Sequence, residues 1–247
     1  MRLRSNNPVY NRILNSDEYR SYAGEYEAAT YGGVARKTLF FLALVFIGAF
    51  GGLWLMQYNP GLFVGALVAS ILTTFLFGFL GLLFPGMTKI FGSLYCLGQG
   101  SLIGVVSLAF EIEAPGIVMT ALLSVVMVLA VTATLFLTRI VKVNGRFMRF
   151  LMIFGISTIA SIILIRIIDL IFGGGLFNTL ILPISLVSTF LATLYLFFDM
   201  QRVYQIVEGG APKTLEWHVS FGLVYTLLWL YIELLRLLFI LGVRNRD

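Results

Sequence analysis

The sequence predicts an all-α membrane protein, a bundle of seven transmembrane helices. Three observations carry that expectation. Only 12% of the 247 residues are charged, whereas a soluble chain of this length carries roughly a quarter. Hydrophobic residues make up 59% and the mean hydropathy is +0.95. The apolar residues are also gathered into runs, each near the roughly 20 residues needed to cross a bilayer.

The runs lie at about 38–58, 61–84, 92–110, 115–138, 148–172, 178–199 and 217–242. This divides the chain into a polar cytoplasmic tail over 1–37, a seven-helix membrane domain over 38–242 and a short C-terminal tail over 243–247. The tail holds Tyr10, Tyr19, Tyr22, Tyr26 and Tyr31 and is too short for a separate folded domain. Asn59-Pro60-Gly61 makes the first tight turn, and Pro85-Gly86 closes the second span. Gln99 lies in the third span, within Gly98-Gln99-Gly100-Ser101, where small residues allow helices to approach closely. Pro115-Gly116 opens the fourth span, and Gly173-Gly174-Gly175 ends the fifth. Short connections make consecutive helices antiparallel neighbours.

The basic residues set the orientation. With the N-terminus in the cytoplasm, Arg36, Lys37, Lys89, Arg139, Lys142, Arg146, Arg149, Arg202 and Lys213 all lie inside. The outer connections then hold no Lys or Arg, and one carries Glu111 and Glu113. Only Arg244 and Arg246 argue the other way, so the expectation is N-in and C-out. The net charge of +5 therefore serves topology and lipid contact rather than nucleic acid. No cleavable signal peptide is expected, because the tail lacks a short basic region followed by an apolar core.

Enzyme signatures are missing. His218 is the single histidine, read as an interfacial polar side chain, and neither HExxH nor GxSxG occurs. No catalytic residue, cofactor or metal site is expected. Cys96 has no partner for an intrachain disulfide. All four lysines fall in connections, which excludes a Schiff-base lysine within a span.

The informative residues are intramembrane charges. Arg166 lies about 27 Å along the fifth span and Glu233 about 24 Å along the seventh, at similar depth. Asp169 is three residues past Arg166, and Arg236 three past Glu233, so each pair shares a helix face. The four read as one interhelical network, either a structural pin or a gate. Asp199 closes the sixth span beside Arg202. It reads either as a solvated helix-end carboxylate or as part of a sensing cluster, with Glu216 as the nearest candidate partner.

GGAPKTLEWHVSFGLVYTLLWLYIELLRLL over 209–238, FFDM upstream, Asn7-Pro8 and RKTLFFLALV together resemble the Bax inhibitor-1/YccA-like family, in its bacterial branch. The resemblance covers nearly the whole chain. It implies a bundle wrapped around the last helix, pH-sensitive calcium leak in some members, and stress or survival roles or partnership with membrane proteases in others. In the implied leak mechanism, two aspartates share a proton and gate the pore. Asp199 matches the first. The second is replaced by Thr226 when the LLR segment is aligned without gaps, or by Glu233 when LYIE is matched. Gln99 stands where this branch has a glutamate.

The expected function is thus a pH-modulated leak for calcium or other cations in a bacterial plasma membrane, with Asp199 as sensor and Glu233–Arg166 as a closing contact. The alternative is a non-conducting modulator of a membrane protease or stress pathway.

Overall fold

A computed structural model describes residues 27–141 and 143–244, with the side chains of Pro60, Val243 and Arg244 outside that description. Asn7-Pro8, the tyrosines at 10–26, Lys142 and Arg246 lie outside the described residues. Among the described residues, seven helices are long and apolar enough to cross a membrane. They are α1 (Tyr31–Tyr58), α2 (Pro60–Leu83), α3 (Thr88–Glu113), α4 (Ile117–Leu137), α5 (Gly145–Phe172), α6 (Leu176–Glu208) and α7 (Leu215–Arg244).

Local chemistry explains most ends. Thr30 accepts a hydrogen bond from the Gly33 amide and caps α1. The first helix therefore begins seven residues before its apolar run, inside the segment assigned to the tail, and takes in Lys37. Pro60 occupies the first turn of α2, where its missing amide costs nothing. A 3-10 turn over Pro85–Met87 leads into α3, which places Lys89 in a helix as well. Two acids cap the helix that follows their own. Glu111 accepts from the amides of Gly116 (2.6 Å) and Val118 (3.0 Å) at the start of α4. Asp169 accepts from Leu176 (2.6 Å) and Phe177 (2.7 Å) at the start of α6. Each places a negative charge on otherwise orphaned amides at a helix N-terminus.

The last helix is the hub. Of its most apolar stretch 61% is buried within the protein, against 11% for α2 and for α5. It packs against α1, α2, α3, α4 and α6. Two stripes explain how one helix faces so many neighbours. Phe221, Val224, Leu228, Tyr231 and Leu235 meet Phe41, Tyr95, Cys96, Ile103 and Ala121 of α1, α3 and α4. Leu223, Leu227, Leu230 and Leu234 meet Ala192 and Leu196 of α6. Both repeat at three- and four-residue steps, the spacing of helix ridges. Among the described residues, α5 packs on no helix but α6.

The tightest pairing is α1 with α3. A side chain at Gly48 would strike the Leu97 carbonyl, and one at Gly100 the Val45 carbonyl. The small residues around Gln99 thus serve close approach, as their composition predicts. Gly100→Val should lower unfolding stability in detergent by about 3 kcal/mol or more, since backbone must move. Gly65→Val, at a site with nothing within 4 Å, should stay within about 0.5 kcal/mol of the parent.

Candidate functional site

Asp199 sits in the buried stripe of α6 formed by Ser185, Ser188, Ala192, Leu196, Val203 and Ile206. The helix runs nine residues beyond it, to Glu208. Ala29, Val34, Val203, Ile206, Ala211 and Val219 close over that end as an apolar cluster. The aspartate is consequently 6% exposed. This corrects the reading of a solvated helix-end carboxylate. Gly222 leaves room for it, as the Asp199 Oδ1 is 3.8 Å from where a side chain there would begin.

The Thr226 side chain of α7 lies beside the Asp199 carboxyl, and Arg202 lies within electrostatic range. The Oδ2 atom has no hydrogen-bond partner. Asp199 lines a cavity of about 960 Å³ between α2, α3, α5, α6 and α7. Thr74, Gln99, Arg202, Thr226 and Glu233 lie on the same wall set. Thr74 Oγ1 is buried without a partner too. Apart from Thr158 and Ser188 the remaining walls are apolar and aromatic, and among the described residues α2 and α5 flank the cavity without touching each other.

At the other end, the four matched charges do not form one network. Glu233 pairs with Arg236 on its own helix and accepts from Trp229 Nε1 at 3.3 Å. Arg236 Nε donates to Ser185 Oγ of α6 at 3.0 Å. Arg166 instead lies over the Phe177 ring, 3.3 Å from its centroid, while Asp169 caps α6. The reason is azimuth rather than depth, because α5 packs only on α6 and never reaches α7. The expected Glu233–Arg166 closing contact is therefore absent among the described residues.

Glu216 is not a companion of Asp199 either. Its carboxylate is fully buried and takes a 2.5 Å ion pair from Lys37. It also accepts from the Thr30 amide at 2.8 Å and the Thr30 hydroxyl at 3.3 Å. Gly33 is needed beside it, since a side chain there would overlap the carboxylate. Around this pair, residues 27–31 strap the α6–α7 connection. Ala29 donates to the Ala211 carbonyl (2.8 Å), Lys213 to the Glu27 carbonyl (2.9 Å), and Tyr31 to the Glu208 carboxylate (2.9 Å). The Lys213 ammonium pairs with Glu27 and holds its carboxyl below the usual range. The stability this contributes is present above the ordinary carboxylate range and is lost as pH falls through the lowered value. His218 is buried as well, with Nδ1 3.2 Å from Thr88 Oγ1. That corrects its reading as an interfacial side chain.

Sequence reasoning missed the strap. An acid in the first turn of α7, favoured there by the helix dipole, and the Gly32-Gly33 pair before Lys37 were the available signals.

A profile of the Bax inhibitor 1 like family matches residues 7–242. The chain belongs to the Bax inhibitor 1 like family. No curated protein matches it. The two-aspartate arrangement that the resemblance implies is not what stands beside Asp199 in this Bax inhibitor 1 like protein. Thr226 faces Asp199, whereas Glu233 lies about 10 Å further along α7.

Double-mutant cycles read by unfolding in detergent should separate these contacts. Glu216→Gln and Lys37→Met should each cost about 3–5 kcal/mol, with the double variant costing less than the sum. Glu233 and Arg236 should couple by roughly 0.5 kcal/mol or more, while Glu233 and Arg166 should be additive.

Proposed function

We propose that this Bax inhibitor 1 like protein is a pH-modulated leak for calcium and other cations in a plasma membrane, with its N-terminus inside. The basic residues support the orientation. Arg36, Lys37, Lys89, Arg139, Arg146, Arg149, Arg202 and Lys213 gather where α1 begins, and the opposite connections carry none.

The observation that carries the leak is Asp199, an acid buried inside the helix bundle that lines a cavity and whose Oδ2 has no hydrogen-bond partner among the described residues. Intramembrane ionisable groups mark ion and proton paths. Conduction needs footholds weak enough to release the ion. Thr226, Gln99, Thr74 and Glu233 are such footholds along the same cavity. Among the described residues no three His, Cys, Asp or Glu side chains gather to hold an ion, which suits transit better than storage. Proton occupancy of Asp199 is the variable through which pH acts, and Thr226 makes this a one-carboxylate device.

The strap favours a second reading. Residues 27–31 join the N-terminal tail to the connection between α6 and α7. A tail so tied is a handle through which a non-conducting protein would engage a membrane protease or stress pathway.

Proteoliposomes loaded with a calcium-sensitive dye test the choice, from about pH 5 to about pH 8. The leak predicts uptake that varies with pH in the parent and is flattened by Asp199→Asn. Flux no greater than in empty liposomes, from folded protein, would sink the leak. The modulator reading fails if removing residues 1–26 has no cellular effect while Asp199→Asn does.

A further inference from the structure

The cavity beside Asp199 is larger and more aromatic than the passage of a bare metal ion needs. At about 960 Å³ it is of the size that holds an organic molecule. Its walls carry two aromatic pairs contributed by α7 and its neighbours. Tyr95 stacks on Tyr225 with centroids 5.3 Å apart, and Tyr195 lies 5.6 Å from Trp229. Phe198 is next to Tyr195, at 6.3 Å. The Tyr195 hydroxyl is within electrostatic reach of Asp199.

The anionic contact that the cavity offers is Asp199, with Arg202 within electrostatic range of it. Asp199 makes no ion pair among the described residues, and its Oδ2 is unpartnered. Glu233 is already neutralised by Arg236. Arg202, the remaining charged lining residue, is drawn over the Phe198 ring at 5.3 Å from the centroid. A small metal ion would want six or more oxygens, and the cavity gives Asp199, a Glu233 already paired with Arg236, the Gln99 amide and scattered hydroxyls. An ammonium with hydrocarbon substituents asks for one anionic contact, aromatic faces and apolar walls.

The entrance fits the same ligand. Phe75 and Phe79 on α2 and Ile159 on α5 line the cavity and are 82%, 63% and 60% exposed. They face lipid across the gap where the two helices do not meet. An amphiphile dissolved in the bilayer reaches Asp199 sideways, without crossing a polar mouth.

We propose that this cavity is a binding site for lipophilic organic cations, quaternary or protonated tertiary amines with bulky apolar groups, which enter between α2 and α5 and place their charge on Asp199. The site does not depend on whether calcium crosses the protein.

The test uses the full chain in phosphatidylcholine nanodiscs and dansylcholine as probe, read as dansyl emission excited through tryptophan. Its uncharged 3,3-dimethylbutyl analogue, with carbon in place of the quaternary nitrogen, is run beside it. The expected result is saturable binding of the cation above empty nanodiscs, with the analogue at least tenfold weaker. Asp199→Asn should weaken the cation by a similar factor, and Thr158→Phe should block both probes by narrowing the cavity. Glu113→Gln, which removes an exposed acid elsewhere, should leave binding unchanged. Equal binding of the two probes would make the cavity an apolar or acyl-chain crevice and overturn the proposal. So would undiminished affinity in folded Asp199→Asn, or no saturable signal. Should Asp199→Asn fail to fold, the comparison of the two probes on the parent protein still decides.

Discussion

A helix enclosed by protein on most sides has neither lipid headgroups nor water to receive its polar side chains, so the neighbours must supply every partner. That constraint falls on α7. Glu216 is answered by Lys37 and Thr30, Ser220 by the Val34 carbonyl, and His218 by Thr88. Further along, Tyr231 meets Ser107 at 2.7 Å, and Glu233 meets Arg236 and Trp229. These contacts reach α1, α3 and the residues before α1. Much of what wraps the last helix is thereby fixed in rotation and height, which apolar packing alone specifies loosely.

Seen from α7, Asp199 is the exception that gives the cavity its character. It projects from α6 into the same interior and finds Thr226, a neutral hydroxyl, where a second acid would make a proton-sharing pair. Its Oδ2 stays unpaired. A buried charge left unpaired carries a cost that the polar groups of α7 avoid. Such a cost persists where a site is kept ready for a proton or a cation. The strap over residues 27–31 contributes to the apolar cluster that closes the end of the bundle next to the α6 turns beyond Asp199.

Much of this was legible in the sequence. Length and hydropathy marked all seven helices, and the small residues at 98–101 marked the closest packing. The resemblance left two counterparts of Asp199 open, Thr226 by gapless alignment and Glu233 by matching LYIE, and Thr226 is the one that lies beside it. Polar helix extensions were not legible. The residues from Tyr31 to Lys37 and from Met200 to Glu208 continue their helices through caps and tertiary contacts rather than apolarity. The hydropathy boundary therefore left Asp199 at a wet end, although it lies nine residues inside. The expected link between Arg166 and Glu233 failed for a related reason. Residue spacing gives depth along a helix but not which helices are adjacent, and α5 stands outside the group that surrounds α7.

The central claim is that a single carboxylate, Asp199, is the place where protons and cations compete inside this bundle. Infrared difference spectroscopy on the protein in lipid addresses it directly, by following the carbonyl stretch of protonated acids as calcium is added at fixed pH. The account predicts loss of a protonated-acid band on calcium addition, and no such band change in Asp199→Asn. A calcium-induced change that survives Asp199→Asn, or a parent spectrum indifferent to calcium, would contradict it.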